Sequence, residues 1–280
     1  MVKISSFKLF HTAKIRTISY LFVHLPKLLI RKNNMNQIPP ITKNLLIINI
    51  LMFLGTIVAD SYGIDLARYL GLHFVLSDNF NLAQLFTYLF MHGGFTHLFF
   101  NMFALWMFGR ILEQVWGPKR FLTFYLVCGV GAGLIQELVV GIQYFITTSG
   151  MPAEAVDVVL REGAAALQQG KNFVNPDLAS LNFIVNGLTV GASGAIYGIL
   201  LGFGMLFPNE KMFVFPLPFP IPAKYFVVGY ALIEFFSGMA NNPGDNVAHF
   251  AHLGGMIFGF ILIMYWRNQN RRRRNEYYYQ

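Results

Sequence analysis

Residues 191–206 read GASGAIYGILLGFGML, an apolar stretch without a charged side chain in which glycine returns at every fourth position from 194 to 202. The stretch belongs to a longer apolar run over residues 187–207. A helix that crosses the hydrocarbon core of a bilayer needs about 20 mostly apolar residues. The run therefore predicts a membrane-spanning helix, with the polar residue Ser193 close to its beginning.

Five further apolar runs flank this one, at residues 43–60, 97–115, 120–146, 222–240 and 247–266. Hydrophobic residues make up 55% of the 280-residue chain, charged residues make up 12%, and the mean hydropathy is +0.50. This composition is too apolar for an ordinary water-soluble domain. The sequence predicts an all-α fold, a polytopic membrane bundle of six transmembrane helices.

The basic residues are concentrated at the two ends of the chain. Residues 1–43 hold eight Lys or Arg and no acid, and five more follow Trp266. The positive-inside rule places both ends in the cytoplasm. If the loops between the six helices then lie alternately outside and inside, only three basic residues are outside, namely Arg68, Arg161 and Lys171. Topology thus explains the net charge of +8, and the sequence indicates no nucleic-acid partner.

We divide the chain into a basic cytoplasmic N-terminal segment (1–38), a six-helix domain (39–267) and a basic cytoplasmic tail (268–280). The beginning of the chain does not have the pattern of a cleaved signal peptide. Two interpretations of it stay open, an interfacial amphipathic segment and a physiological start at Met35. Cys128 is the only cysteine, which excludes an intramolecular disulfide and a cysteine-based metal cluster.

The outer loop at about 147–186 is a long insertion. Its residues 153–169 place apolar side chains at helical spacing, which predicts a short surface helix. The inner loop 208–222 contains five prolines, which break helices.

Placing a polar side chain within the hydrocarbon core of a membrane costs free energy, so each such residue is a functional candidate. His97 and Asn101 lie one turn apart on one face of the second run, where two donors can hold a developing oxyanion. A pair that only ties helices together would look the same. Ser193 opens the fourth run, where free helix N–H groups can stabilise an anion, although Gly-x-Ser-Gly is also typical of helix packing.

The sixth run carries His252 above a glycine face formed by Gly255 and Gly259. The fourth run offers a matching stripe beside Ser193, and packing of the two stripes would bring Ser193 within hydrogen-bond reach of His252. A neutral imidazole can then take the serine proton. Spacing alone does not choose between His249 and His252, but the glycines on the face of His252 favour His252 as the base.

No third catalytic member is evident from the sequence. Asp245 is expected in a loop, while Glu113, Glu137 and Glu234 belong to other helices at inner or uncertain depths, so we predict a Ser–His dyad. The second, fourth and sixth runs all pass from outside to inside. Their polar residues therefore share one depth, just below the outer surface.

Three stretches together resemble the rhomboid intramembrane proteases: MHGGFTHLFFNM (91–102), GASGAIYG (191–198) and AHLGGMIFG (251–259). The resemblance covers residues 43 to 266. It implies a rhomboid-like fold and a serine endopeptidase that hydrolyses transmembrane substrates within the lipid bilayer, near its extracytoplasmic face. It implies no metal and no organic cofactor. We expect an integral, multi-pass protein of a bacterial plasma (inner) membrane.

The resemblance also assigns roles. Ser193 would be the nucleophile and His252 the base, with His97, Asn101 and the Ser193 N–H forming the oxyanion hole. The supporting residues would be Tyr197 stacked against His252, His249, Glu113 at the inner end of the second helix, His92 in the first outer loop, and the motif glycines Gly191, Gly194, Gly255 and Gly259. The family's frequent Trp-Arg pair in the first outer loop is absent, which leaves that loop's packing open.

Two other functions compete with the protease. The first is a catalytically silent rhomboid-like protein that binds membrane clients. The presence of both members of the dyad argues against it. The second is a small transporter that uses intramembrane His and Glu for protons. It would require polar residues along a path through both leaflets, and Glu137 and Glu234 keep it open.

Overall fold

The computed structural model describes residues 37–213, 219–240 and 247–278. Most of the N-terminal segment predicted over 1–38, including Met35, lies outside the described residues, as does Asp245. In chain order the helices are α1 (Pro40–Ser61), α2 (Leu66–Leu70), α3 (Gln84–Thr87), α4 (Phe95–Trp116), α5 (Pro118–Thr148), α6 (Ala153–Gln168), α7 (Pro176–Asn186), α8 (Ser193–Leu206), α9 (Ala223–Ala240) and α10 (His249–Tyr278). The strands are β1 (Leu72–His73), β2 (Leu188–Thr189), β3 (Lys211–Met212) and β4 (Ile221–Pro222).

Each of the six apolar runs overlaps one helix, and the all-α polytopic fold is confirmed, although the helices differ in length. Within the described ranges, α1, α4, α5 and the part of α10 up to Arg271 are long and apolar enough to cross a membrane. The helix α8 is apolar but has only 14 residues, and α9 has 18. The helix α10 continues past residue 267 into the predicted tail.

The outward surface of α1 is apolar, as contact with lipid requires. Leu51, Leu54 and Val58 are each more than half exposed, at 61%, 51% and 58%. Large exposed apolar surfaces are rare on water-soluble monomers. We therefore describe the chain as an integral, multi-pass membrane protein.

The short helix α8 lies at the centre of the bundle, packed against α4, α5, α9 and α10. Its 14 residues rise about 21 Å, less than the roughly 30 Å of a hydrocarbon core. A helix of this length does not reach both surfaces. Its first residue, Ser193, can therefore lie below the membrane surface.

Glycines allow α8 and α10 to approach closely. A side chain on Gly255 would collide with the carbonyl oxygen of Gly194. A Cβ on Gly198 would lie 3.0 Å from the carbonyl oxygen of Gly255, and one on Gly259 would lie 3.4 Å from Gly198 Cα. The two glycine stripes found in the sequence thus pack against each other. Cys128 of α5 fills the space beside them as a buried thiol.

The carboxylate of Glu113, near the end of α4, caps the beginning of α1. Its two oxygens accept hydrogen bonds from the backbone N–H of Ile41 at 2.9 Å and from the N–H and hydroxyl of Thr42, both at 2.7 Å. Glu113 is 2% exposed. The resemblance implied that this residue anchors the inner end of the second helix. The structure shows that it does so by bonding to α1.

Replacing Glu113 with alanine should therefore destabilise the fold without touching the candidate site. Three donors would lose their acceptor, which should cost roughly 2–4 kcal/mol of unfolding free energy. The measurement is thermal unfolding in detergent. The control is Glu162→Ala, which removes an exposed carboxylate of α6. A melting temperature equal to the control's would contradict the anchoring role.

In the outer region the structure adds one helix and moves one predicted boundary. The predicted surface helix matches α6, but a second helix, α7, follows it and was not anticipated. The two pack through Val159, Leu181 and Val185, and Asn182 Nδ2 donates to the carbonyl of Gly163 at 3.1 Å. The fourth membrane helix begins at Ser193 instead of residue 187. The chain before it is extended because β2 pairs with β1.

This pairing ties the first outer loop to the entrance of α8. Leu72 is opposite Thr189 and His73 is opposite Leu188 in an antiparallel register. The backbone N–H of Gly191 then donates to the carbonyl of Tyr88 at 2.9 Å. The first outer loop therefore fixes the chain two residues before Ser193.

A buried glutamine organises the first outer loop, whose packing the sequence left open. Gln84 is 2% exposed, and its amide donates to the carbonyls of Asn79 at 2.9 Å and Tyr69 at 3.2 Å. Its oxygen accepts from the N–H of His73 and of Asn81 at 3.3 and 3.2 Å. These four bonds hold the loop in a fixed conformation without the Trp-Arg pair.

Candidate active site

Ser193 and His252 meet where the first turns of α8 and α10 pack together. The Oγ of Ser193 and the Nε2 of His252 are 2.8 Å apart, a normal hydrogen-bond distance. The two residues are 59 positions apart in the chain. The glycine packing described above is what brings them into contact.

Tyr197 supports the His252 ring from the next turn of α8. The two rings are stacked, with centroids 4.2 Å apart and planes 7° apart. His252 is only 8% exposed. The stack restricts rotation of the imidazole and keeps its Nε2 edge towards Ser193, as the resemblance implied.

A carboxylate that the sequence did not place lies on the other edge of His252. One oxygen of Glu234, in α9, is 2.9 Å from His252 Nδ1 and 2.6 Å from His249 Nδ1. Its second oxygen accepts a hydrogen bond from the hydroxyl of Tyr197. Glu234 is 5% exposed. Ser193, His252 and Glu234 therefore form a continuous hydrogen-bonded chain.

The uncertain depth assigned to Glu234 is thus corrected. In the predicted topology α9 passes from the inner to the outer side, and Glu234 is the eleventh residue after Ala223 in a helix of 18. That position is in the outer half, the depth predicted for Ser193. An acid in the outer half of the fifth run was the signal available in the sequence.

His249 lies one turn before His252 and occupies a different position in the network. Its ring is nearly perpendicular to that of His252, at 86°, with centroids 6.4 Å apart. Its Nδ1 bonds the same oxygen of Glu234. It is His252, and not His249, that hydrogen-bonds Ser193.

Glu234, His249 and His252 are also residue types that bind metals, and their ligand atoms lie within 4.8 Å of one another. One carboxylate oxygen accepts from two imidazoles at 2.6 and 2.9 Å. This arrangement satisfies the carboxylate through direct hydrogen bonds.

The space beside Gly191, here called the pocket, lies between Ser193 and His97, one of the two predicted oxyanion residues. Gly191 has φ +127°, a conformation that strongly favours glycine. A Cβ there would lie 2.7 Å from His97 Nε2 and 3.6 Å from Ser193 Oγ, so Gly191 keeps open the space between these side chains. Asn101 is 6% exposed, and in the described part of the chain its Nδ2 has no hydrogen-bond acceptor.

His92 supports this pocket from the first outer loop. Its ring contacts that of His97 edge-on, with centroids 5.2 Å apart. Burial, with a smaller contribution from His97, lowers the pKa of His92 to about 4. His92 is therefore neutral at neutral pH and adds no charge to the pocket.

If His97 and Asn101 stabilise an oxyanion, alanine at either position should lower kcat by roughly 10- to 1000-fold and change KM much less. The measurement is steady-state cleavage of a model transmembrane substrate. A suitable control is Asn49→Ala, which removes a buried amide of α1 whose Nδ2 donates to Leu45. Unchanged kcat in both site variants would show that the pair only joins helices.

Comparison with known proteins shows the family to which the chain belongs. The Rhomboid domain model matches residues 79–269, which is more than half of the chain. The match includes every side chain described above for the site.

Three curated relatives illustrate the range of the similarity. Rhomboid protein 1 of Saccharomyces cerevisiae mitochondria is 27% identical, over 63% of this chain and 39% of the relative. The rhomboid protease AarA of Providencia stuartii is 27% identical, over 61% of this chain and 51% of the relative. The putative rhomboid protease YdcA of Bacillus subtilis is 28% identical, over 68% of this chain and 70% of the relative. The matched part thus spans about half or less of the first two relatives. On the domain match and these relatives, the chain belongs to the rhomboid family.

Proposed function

We propose that this chain is an intramembrane serine protease that hydrolyses peptide bonds of transmembrane substrates near the extracytoplasmic face of the membrane. One observation carries the proposal: the 2.8 Å contact between Ser193 Oγ and His252 Nε2 at the beginning of a short, central helix. Serine becomes a useful nucleophile only when a base takes its proton. The protease-named relatives agree with this chemistry.

In the first half of the reaction, His252 Nε2 accepts the Ser193 proton while Oγ attacks the carbonyl carbon of the substrate. The carbonyl oxygen becomes negative and occupies the pocket beside Gly191. There it accepts hydrogen bonds from His97, Asn101 and the Ser193 N–H. The His252 imidazolium then protonates the leaving amine, and the peptide C–N bond breaks to give an acyl-enzyme.

In the second half, water attacks the acyl-enzyme with His252 again acting as base. The same pocket holds the second oxyanion. The imidazolium returns a proton to Ser193 Oγ as the ester bond breaks, which releases the new carboxylate and restores the resting site. No step needs a metal or an organic cofactor.

The substrate is proposed to be a transmembrane helix that unwinds locally. A helical carbonyl is occupied by its own backbone bond, so helix-weakening or small residues such as Gly, Ala, Ser or Pro should be favoured near the scissile bond. A bacterial plasma membrane with both termini cytoplasmic stays a prediction, since the relatives include mitochondrial and bacterial proteins.

The competing functions differ in what they require of these side chains. A silent client-binding protein needs no serine–imidazole contact, whereas this chain keeps one. A proton path through both leaflets is not supported by Glu137, whose carboxylate accepts from the N–H of Val75 in the first outer loop. Both observations favour the protease.

The test uses the purified full chain in liposomes with a model transmembrane substrate, and mass spectrometry of the products. The proposal expects one main cut near the outer end of the substrate helix, and no cut by a Ser193→Ala preparation. Substrate binding without cleavage, and without reaction with a fluorophosphonate, would favour the silent client-binding protein.

A further inference from the structure

We propose that Glu234 is a positioning residue that extends the dyad to a triad of Ser193, His252 and Glu234. The inference rests on the proposed function. It assigns a catalytic task to a carboxylate in α9, a helix that carries none of the motif residues. The residues of the triad come from α8, α10 and α9 respectively.

The first step concerns the location of protons. An ionised carboxylate only accepts hydrogen bonds, so the Nδ1 atoms of His249 and His252 must both donate to Glu234. A neutral imidazole with its proton on Nδ1 has its lone pair on Nε2. In His252 that lone pair is directed at Ser193 Oγ, 2.8 Å away. Glu234 therefore selects the tautomer that a general base requires.

The second step concerns charge. When His252 takes the serine proton, its imidazolium has a carboxylate oxygen 2.9 Å from Nδ1. Both residues are less than 10% exposed, and opposite charges attract more strongly away from water. Glu234 therefore stabilises the charged base in the transition state more than the neutral base in the resting enzyme.

The third step concerns rigidity. Tyr197 donates to the oxygen of Glu234 that does not bond the histidines, so the carboxylate is held at both ends. Tyr197 also stacks on the His252 ring. His249 supplies a second donor to the oxygen shared with His252. These contacts leave the carboxylate little freedom to turn away.

The test compares Glu234→Gln with the wild type. Glutamine keeps the shape of the side chain but removes its charge, so kcat should fall by roughly 10- to 1000-fold while KM changes by less than about threefold. The rate of fluorophosphonate labelling should fall in parallel, since that reaction needs the activated serine but no substrate helix. The control is Glu137→Gln, a glutamate of α5 whose carboxylate accepts from the N–H of Val75, and this variant should behave as wild type.

A pH profile separates positioning from a merely structural role. The titratable groups that face His252 are Glu234 from α9, Tyr197 from α8, His97 from α4 and His249 from α10. The change removes the negative charge 2.9 Å from His252 Nδ1. The acidic limb of the kcat profile should therefore move to lower pH in Glu234→Gln.

Outcomes that overturn the inference are distinct from those that overturn the protease. If the wild type cleaves and Glu234→Gln matches it in kcat and pH profile, the triad is wrong and the dyad stands. If Glu234→Gln does not fold, or if the wild type does not cleave, nitrogen NMR of histidine-labelled wild type decides, with His252→Ala to assign the signal. A neutral His252 with its proton on Nδ1 supports the inference, and a proton on Nε2 overturns it.

Discussion

Replacing Ser193 with alanine is expected to abolish cleavage, with a loss of roughly 10,000-fold or more in kcat. No other hydroxyl in the described site can take its place, because the remaining one, on Tyr197, donates to Glu234. The fold should stay intact. The change removes one oxygen from a half-buried side chain at the beginning of α8, which creates little empty volume.

The measurement pairs cleavage of a model transmembrane substrate with thermal unfolding in detergent. Ser149→Ala is the matched control, since it removes an exposed hydroxyl at the end of α5. We expect the two variants to melt within a few degrees of wild type, while only Ser149→Ala retains activity. Cleavage by Ser193→Ala at the wild-type rate would rule out Ser193 as the nucleophile.

The second large effect is expected at His252. His252→Ala should eliminate both cleavage and reaction with a serine-directed fluorophosphonate, because the 2.8 Å contact with Ser193 Oγ is lost. His249→Ala should retain both at a reduced level. Its Nδ1 bonds Glu234 at 2.6 Å, so its loss removes one of the carboxylate's three donors and leaves the base in place.

Activity-based labelling and cleavage should be measured on both variants under identical conditions. Each variant is the matched control for the other, since both changes remove a histidine from the first turn of α10. If His249→Ala were silent and His252→Ala active, the base would be His249. The glycine-face argument from the sequence would then be wrong.

Much of the architecture was predictable because membrane helices follow a local rule. Each apolar run had to form a helix, since backbone groups in lipid must bond within their own segment. The runs at 43–60 and 120–146 match α1 and α5 closely for this reason. The beginning of α8 was misplaced because residues 188–189 pair with β1, and pairing with a distant strand leaves no periodic signal.

The glycine stripes were predictable in the same way. Spacing of four residues puts glycines on one helix face, and Gly198 and Gly259 do lie against each other. That packing explains why Ser193 and His252 were correctly expected to lie close together. The oxyanion role of His97 and Asn101, inferred from a shared helix face and from the direction in which the chain crosses the membrane, stays a prediction.

By itself, the sequence determined which segments form apolar helices and the pairing of α8 with α10 through small residues. Only the tertiary structure decided which side of His252 meets a carboxylate. Glu234 is 18 residues from His252 and 37 from Tyr197, on a helix without a glycine stripe to fix its rotation. The spacing of residues along one helix shows which of them share a face and how far apart they lie along its axis. The rotation of that helix against its neighbours depends on the fit of all their side chains, which no single segment contains.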